Sequence, residues 1–394
     1  MEVPSGSSSA PSPASPATLR DIAREWTRIG CVGFGGPPAH IALLQQLCVR
    51  DRGWLSADEF EDAIAASNLL PGPGSTQLAI LCAWRLQGLR GALVGGAGFI
   101  LPGLGAIIGL SALFLADSPP AWVRGAGAGA GAAVAAVAVK AGLDLLRPGW
   151  GRVAGAARAR WLTYVLLGAA AAAVVGAWVV LVLLACGAGE VVLRAGWPCI
   201  GRGSAQLLVL AGPPATGGVA ALCWMAFKVG ALSYGGGFVI VPLMQSDAVG
   251  HHHWMTDGQF LNAVALGQVT PGPVVHTVAA VGYAAAGVAG ALLAALIAFA
   301  PSFLFILLGA ARFDTLRAST RVRAFLDGAG PAAIGAIVGS AVPLALALSE
   351  PWQLAVLTAS ATALFALRGS AVATLLAAGA VGAGLALAGV ALPG

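Results

Sequence analysis

Charged side chains are scarce in this sequence: Asp, Glu, Lys and Arg together make up 9% of its 394 residues. A soluble domain carries about 25% charged residues, so this chain has too few charges to cover a globular surface. Hydrophobic residues reach 58%, and the mean hydropathy is +0.86. These values exclude an aqueous enzyme, a nucleic-acid-binding protein and a disordered protein as descriptions of the whole chain.

Cysteine is also sparse, with six residues and no CxxC pair. We interpret these cysteines as small core residues, because most lie in apolar stretches and none has metal-ligand spacing. Residues 1–18 are rich in Ser, Pro and Ala and lack the basic start and apolar stretch of a signal peptide. They are predicted to form a disordered N-terminal tail.

Long apolar segments and glycine, by contrast, are abundant. At about 20 residues for each span, the length allows about 10–13 membrane segments, so the predicted fold class is an all-α polytopic membrane protein. The net charge of 21 − 16 = +5 is interpreted as a topology signal from cytoplasmic loops. The 56 glycines fit helices that pack closely or break inside a bilayer.

The sequence is duplicated with a period of 200 residues. Residues 24–77 and 224–277 align without gaps and share 13 identities in 54 positions. A tryptophan, a phenylalanine and a Pro-Gly-Pro triplet recur at the same spacing, which low-complexity Ala and Gly cannot explain. After the tail, the predicted division is a first repeat (19–146), a connecting segment with one or two spans (147–222), a second repeat (223–348) and C-terminal membrane segments (349–394).

Basic residues fall on different loops in the two repeats. The loops around the first Pro-Gly-Pro hold four arginines, whereas the equivalent loops, about 246–257 and 284–290, hold no Lys or Arg. The later loops reverse this pattern, with one arginine in 115–124 and four in 312–323. Because cytoplasmic loops collect Lys and Arg, we predict two repeats of inverted topology.

The same charges predict how the broken segments enter the membrane. Arginines flank residues 62–83 on both sides, which favours a re-entrant hairpin that turns at Pro-Gly-Pro. For the preceding Gly-rich segment, 29–48, two alternatives remain. It either spans the membrane or folds back at its Gly-Gly-Pro-Pro sequence.

The Pro-Gly-Pro triplets are the main candidate for a functional site. Proline lacks an N–H and clashes with the preceding turn, so each triplet interrupts a membrane helix and exposes backbone groups. Free amides and the positive end of the following helix would suit an oxyanion, with polar side chains close behind. The alternative is a structural kink filled by neighbouring side chains.

Two further features complete the predicted site. The sequence Gly33–His40 and its counterpart at 233–237 are rich in glycine. These glycines either expose backbone amides to a ligand or allow helices to pack closely. Lys228 could attract an anion or extend towards the membrane interface. The predicted substrate-binding residues are Gly35, Gly36, Pro71, Gly72, Pro73, Gly74, Ser75, Thr76, Gln77, Lys228, Gly235, Gly236, Thr270, Pro271, Gly272, Pro273 and Thr277.

Other isolated charges receive less specific interpretations. Lys140 and Asp144 are four residues apart on a predicted helix and are expected to pair with each other. Residues 251–253 form a histidine run that lacks an acidic or cysteine partner at ligand spacing, so an exposed loop is expected there. The sequence offers no explanation of Glu190.

Three motifs resemble the chromate ion transporter family in its long two-domain form. They are Gly-x-x-Gly-Phe-Gly-Gly-Pro-x-Ala-His-Ile (30–41), Arg-Gly-Trp-Leu-Ser-x-x-Glu-Phe (52–60) and Leu-Leu-Pro-Gly-Pro-x-x-Thr-Gln-Leu-Ala-Ile (69–80). The resemblance covers about residues 20–345. It implies efflux of chromate across a bacterial inner membrane, hence chromate resistance, with sulfate as a similar dianion. Gly33 departs from the serine expected there, whereas Ser233 keeps it.

We therefore predict a multi-pass secondary active transporter that exports chromate and is not an enzyme. No nucleotide-binding motif is present, so an ion gradient or exchange would drive it. The alternatives are transport of sulfate or another anion and, from a different class, an intramembrane enzyme, for which the sequence shows no nucleophile or His/Asp/Glu cluster. The predicted partners are the oxyanion, the lipid bilayer and, as an option, a second copy in a homodimer, with no nucleic acid, metal or cofactor.

Overall fold

The computed structural model describes residues 16–116, 118–151, 153–174, 179–195, 218–233, 239–309 and 318–393. Within these ranges the chain is helical and contains no β-strand. Four of the helices in these ranges are long and apolar enough to cross a membrane. The predicted fold class, an all-α polytopic membrane protein, is confirmed.

The helices occur in the same order in both halves of the described chain. The first half contains α1 (Leu19–Val32), α2 (Pro37–Gln45), α3 (Ala57–Leu69), α4 (Gly74–Phe114), α5 (Ala121–Gly151), α6 (Ala156–Val174) and α7 (Val179–Ala195). The second half contains α8 (Val219–Leu232), α9 (Ile240–Gln245), α10 (Asp257–Val269), α11 (Thr277–Gly309), α12 (Thr320–Gly339), α13 (Ala341–Leu346), α14 (Pro351–Phe365) and α15 (Ala371–Leu387). Short π-helical turns follow α2 and α9 (Gln46–Asp51 and Ser246–His251), and a 3-10 turn precedes α11 (Val274–His276).

Two pairs of equivalent helices, α1 with α8 and α3 with α10, begin and end 200 residues apart. The start of α3 is set by a capping box, in which the Ser56 hydroxyl accepts from the Glu59 amide and the Glu59 carboxylate accepts from the Ser56 amide. Thr256 and Gln259 make the same reciprocal pair at the start of α10. Each such cap satisfies two amides that a helix leaves free, and both repeats therefore start this helix at the same position.

Both Pro-Gly-Pro triplets interrupt helices, as predicted. They fill the gap between α3 and α4 and the gap between α10 and the 3-10 turn. Gly72 has a φ of 125° and Gly272 a φ of 92°, in a region that favours glycine because it has no Cβ. The two flanking prolines have no N–H to continue a helical hydrogen-bond ladder.

The first triplet lies at the tip of a re-entrant hairpin. The guanidinium of Arg85, on α4, donates to the carbonyl of Glu59, in the first turn of α3. In one continuous helix these two residues would lie about 39 Å apart at 1.5 Å per residue. Their contact shows that the chain turns back at Pro-Gly-Pro, so the hairpin enters and leaves on one side.

The Gly-rich segment also folds back, which decides between the two alternatives. Glu25 on α1 pairs with Arg28 at 2.9 Å and with Arg52, beyond α2 and its π-helical turn, at 3.0 Å. In the second half, Lys228 on α8 pairs with Asp247 at 2.6 Å. Each repeat therefore closes the base of this hairpin with an ion pair. The basic residues Arg28 and Lys228 are equivalent, whereas the acidic partners come from different elements.

A sharp turn divides α4, and an equivalent turn divides α11. The turns are centred on Gly88 and Gly287, with φ of 58° and 61°. A Cβ on Gly91 would overlap the carbonyl of Ala83, although residues eight apart in a continuous helix lie about 12 Å apart. Glycine thus lets the two arms of each turn approach closely, and Gly290 has the same role in α11.

The two halves are interlocked through their later helices. α5 packs against α14 and α15, near the end of the chain, whereas α12 packs against α6 and α7. The Ala-Gly run 125–131 is a packing face, because a Cβ on Gly125 or Gly129 would overlap the backbone of α15. Gly335 meets the backbone of α6 in the same way. Small residues allow these close approaches.

Large apolar side chains point outward from the long helices. Leu93 and Leu101 on α4, and Leu292, Leu296 and Leu304 on α11, are all at least half exposed. A surface with such rows of leucine is unfavourable in water and suits lipid chains. This arrangement agrees with a multi-pass membrane protein.

Some sequence predictions fall outside the described residues. The predicted tail, 1–18, lies outside them up to residue 15, and Thr18 caps α1. The predicted connecting segment, 147–222, lies partly outside them, at residues 152, 175–178 and 196–217. The predicted segment boundaries stay predictions.

Glu190 has a structural explanation. Its carboxylate, 2% exposed, accepts from Arg160, from the Tyr164 hydroxyl at 2.9 Å and from Arg194 at 2.6 Å. Arg194 in turn pairs with Asp327 on α12 at 2.7 Å. The carboxylate therefore connects α6 with α7, and Arg194 extends this connection to α12. The two arginines compensate the negative charge of Glu190.

We expect Glu190→Ala to lower the unfolding free energy by about 1–3 kcal/mol, because the variant leaves two arginines without their shared partner. Thermal unfolding of the purified protein in detergent measures the change. Asp144→Asn is the control, since Asp144 pairs with Lys140 at 2.6 Å, as predicted, but lies on the surface. Equal melting temperatures for the two variants would contradict a structural role for Glu190.

Candidate substrate site at the hairpin tips

The re-entrant hairpins of the two halves meet tip to tip. The Gly272 amide donates to the carbonyl of Gly33 at 2.9 Å, which joins the second Pro-Gly-Pro to the first Gly-rich tip. A Cβ on Gly72 would lie 3.4 Å from the carbonyl of Gly230, so the first Pro-Gly-Pro lies beside α8 near the second Gly-rich tip. We call residues 33–36, 71–73, 230–233 and 271–273 the hairpin tips.

Helix α4 passes directly beside one of these tips. A Cβ on Gly103 would overlap the Pro271 carbonyl and would lie 2.6 Å from Cε1 of His276. The ring of Phe99, one turn earlier on α4, packs edge-on against His40 with centroids 5.0 Å apart. Residues from both halves therefore enclose the same interior region.

The polar residues predicted after the first break are buried there. Ser75 is 4% exposed, and Thr76 and Gln77 are fully buried at the start of α4. The Gln77 amide nitrogen donates to the carbonyl of Pro71 at 2.7 Å and so closes the break. Gln77 Oε1 and Thr76 Oγ1 have no hydrogen-bond partner within the described part of the chain.

The predicted threonines of the second break bond to their own backbone. Thr270 donates to Leu266 at 2.9 Å and Thr277 to Val274 at 2.8 Å, and both side chains are buried. Ser233, at the end of α8, is fully buried, and its hydroxyl has no partner among the residues that the structure describes.

The remaining predicted glycines and prolines are not equally enclosed. Gly35 is exposed and Gly36 half-buried, and their φ of 102° and 73° open the first Gly-rich tip. Gly72, Pro73, Gly272 and Pro273 are buried, whereas Pro71 is exposed and Gly74 and Pro271 are half-buried. Gly235 and Gly236 lie outside the described residues.

Lys228 lies at the base of its hairpin. Its ammonium is 2.6 Å from the Asp247 carboxylate, and its side chain is 17% exposed. The ion pair compensates the charge that could attract an anion. A direct contact between Lys228 and substrate stays a prediction.

Sequence reasoning missed two histidines in this region. His40 and His276 are both fully buried, and His276 packs edge-on against Phe299 with centroids 5.3 Å apart. The two histidines do not align with each other in the repeat, so the alignment gave no reason to consider them together. One signal was available, because His276 aligns with Thr76, the third residue after Pro73.

Positive potential at the tips comes from backbone amides. Throughout the described ranges, no Lys or Arg side chain is buried. The first turn of α4 follows Pro73 directly, and the first amides of any helix lack intrahelical partners and carry partial positive charge. Such a site suits an anion that accepts several hydrogen bonds.

A depression of about 630 Å³ opens at the base of the first hairpin, away from its tip. It is lined by Trp54, Leu55, Glu59, Asp62, Trp84, Arg85, Leu86 and Gly88. The Ser56 amide and hydroxyl hold the pKa of Glu59 below its usual value, so this carboxylate is charged at neutral pH. The mixed charges of this depression do not favour an anion.

Broken helices that meet tip to tip inside a membrane protein are a feature of membrane transporters. The sequence profile of a protein family described as Chromate transporter matches residues 20–191 and 220–385 of this chain. These two matches include helices on both sides of the predicted repeat boundaries. The chain belongs to the chromate transporter family.

Similar proteins carry the same description. A chromate transport protein of Cupriavidus metallidurans is 31% identical, over 83% of this chain and 83% of its own length. A chromate transport protein of Pseudomonas aeruginosa is 29% identical, over 85% of this chain and 83% of its own. A probable chromate transport protein of Synechococcus elongatus is 27% identical, over 83% and 84%. No solved structure matches the chain significantly.

Proposed function

We propose that this protein exports chromate across the bacterial inner membrane as a secondary active transporter, driven by an ion gradient or by exchange. Its relatives are described as chromate transport proteins, and they align with this chain over most of their length. Chromate is a tetrahedral dianion and needs several hydrogen-bond donors around it.

The observation that carries this proposal is the meeting of the hairpin tips with polar atoms that lack partners. Thr76 Oγ1, Ser233 Oγ and both ring nitrogens of His276 are buried without a hydrogen bond, among the residues described. A buried polar group without a partner costs about 1–3 kcal/mol, and a ligand at the tips would remove that cost. Together with the first amides of α4, these groups would surround an oxyanion.

The proposed site consists of the hairpin tips with Ser75, Thr76, Gln77, Thr270 and Thr277. Alternating access would follow from movement of one half against the other around these tips, as in transporters built from inverted repeats. An inside-negative membrane potential favours outward movement of an anion, which supports export as the direction.

Expression of this protein in chromate-sensitive bacteria is expected to lower chromate accumulation at least about twofold. The measurement compares cells with and without the gene, and uptake by inverted membrane vesicles confirms the direction. Excess sulfate in the vesicle assay tests whether sulfate competes. Equal accumulation, with the protein present in the membrane, would contradict the proposed function.

A further inference from the structure

His276 is a fully buried imidazole without a hydrogen bond. Neither of its ring nitrogens has a partner that satisfies hydrogen-bond geometry within the described ranges, and the backbone of Ile100 lies near the ring and interacts with it. A neutral imidazole always carries one donor and one acceptor, so both remain unused here. The residue lies three positions after Pro273, against the backbone of Gly103.

The nearby His40 differs, because it has one fixed bond. Its Nε2 is 2.9 Å from the carbonyl of Gly33, which also accepts from the Gly272 amide. A carbonyl can only accept, so Nε2 of His40 carries the hydrogen and Nδ1 is a free acceptor. His40 therefore holds the contact between the tips, whereas His276 is unconstrained on both nitrogens.

Among the residues that the structure describes, His40 and His276 are the buried side chains that can become positive. No Lys or Arg in the described ranges is buried, and the cation nearest to the Gly-rich tip of the second half, Lys228, is paired with Asp247. The ionisable residues on the elements around His276 are His40 on α2, Cys82, Arg85 and Arg90 on α4, Asp257 on α10 and Tyr283 on α11. Of these groups, His40 interacts electrostatically with His276, and the interaction disfavours a positive charge on both rings at once.

We propose that an oxyanion binds at the hairpin tips together with a proton on His276, so that anion and proton move in the same direction. This inference rests on the proposed function and specifies its coupling ion. The proton comes from water on the side where the anion enters and leaves with the anion on the other side. Histidine suits this role because its unperturbed pKa lies near neutral pH and a neighbouring anion favours the protonated ring.

The physical reason is mutual stabilisation. A dianion at the tips has no buried Lys or Arg as a partner in the part of the chain that the structure describes, and an isolated imidazolium in an apolar site is equally unfavourable. Each stabilises the other, and the coupling is reciprocal by linkage. The bound pair carries one net negative charge, so an inside-negative potential still favours its outward movement.

The decisive experiment follows protons and chromate together in liposomes that contain the purified protein and a luminal pH dye. With an inward chromate gradient, a clamped potential and about pH 8 on both sides, we expect chromate entry to acidify the lumen by about one proton for each anion. Entry without acidification, or with alkalinisation, would overturn the inference. If neither chromate nor sulfate enters faster than into empty liposomes, the proposed function itself fails.

Variants assign the proton to a residue. We expect His276→Gln to move chromate at least about tenfold more slowly and without acidification, and His40→Gln to slow transport but keep the proton. His251→Gln lies in the π-helical turn after α9, where the ring bonds to the Ser246 carbonyl, and this variant should match the unsubstituted protein. Acidification that persists in His276→Gln, or is lost only in His40→Gln, would overturn the assignment.

If His276→Gln does not transport or does not fold, the pH dependence of chromate binding to the unsubstituted protein still tests the inference. Chromate affinity of the unsubstituted protein should fall up to about tenfold for each unit of rising pH, because binding takes up a proton. In any His276→Gln protein that elutes as a folded species, the affinity should not depend on pH. A pH-independent affinity of the unsubstituted protein would contradict the inference without any variant.

Discussion

Gly103→Ala is expected to lower chromate transport at least about tenfold. The added methyl group would overlap the Pro271 carbonyl and crowd His276, so α4 or the second tip must shift. Overpacking of this kind costs about 1–3 kcal/mol, because close-packed interiors have no room for an extra carbon. Since the overlap involves backbone, no flexible side chain can move away to relieve it. The measurement is the initial rate of chromate uptake by liposomes containing the variant.

Gly105→Ala is the matched control for this prediction. It makes the same substitution on the same helix two residues later, and no atom lies within 4 Å of the added methyl. Its transport rate and melting temperature should equal those of the unsubstituted protein. If Gly103→Ala were also unchanged, α4 would not pack against the second tip as the structure shows.

Gly272→Ala is expected to reduce transport to a similar extent. The φ of 92° is unfavourable for alanine by about 1–2 kcal/mol, and the new methyl would lie 3.0 Å from Cε1 of His276. Relief of this strain would turn the backbone and weaken the bond from the Gly272 amide to the Gly33 carbonyl. That bond joins the two halves at the tips, so its loss should affect transport more than stability.

Gly389→Ala separates the two contributions. Gly389 has a φ of 79°, and no atom lies within 4 Å of an added Cβ, so this variant carries backbone strain without any effect on the tips. Both variants should lower the melting temperature, but Gly272→Ala alone should lower the uptake rate. Normal uptake by a stably folded Gly272→Ala protein would place the substrate elsewhere.

The features of this protein that can be predicted from its sequence depend on residues that lie close together along the chain. Low charge and long apolar segments indicate membrane helices, because hydrocarbon tolerates few charged groups. The Pro-Gly-Pro triplets predict breaks because two prolines around a glycine remove adjacent helical hydrogen bonds. The capping boxes at Ser56 and Thr256 begin α3 and α10 where the repeat places them. The arginines around the first triplet also indicate a hairpin.

The contacts between segments far apart in the sequence were found only in the three-dimensional structure. The sequence left open whether the first Gly-rich segment spans the membrane, and the Glu25–Arg52 pair shows that it folds back. The charge on Lys228 suggested an anion contact, but Asp247, 19 residues away, compensates it.

Membrane insertion, duplication and helix breaks follow from residue chemistry that acts over a few neighbouring positions, and the amino-acid sequence is sufficient to recognise them. The meeting of Gly33 with Gly272, the exchange of helices between the halves and the isolation of His276 depend on which helix faces pack together. Packing is a collective property of the folded chain, and residues such as His40 and His276, far apart in sequence, become neighbours only through it.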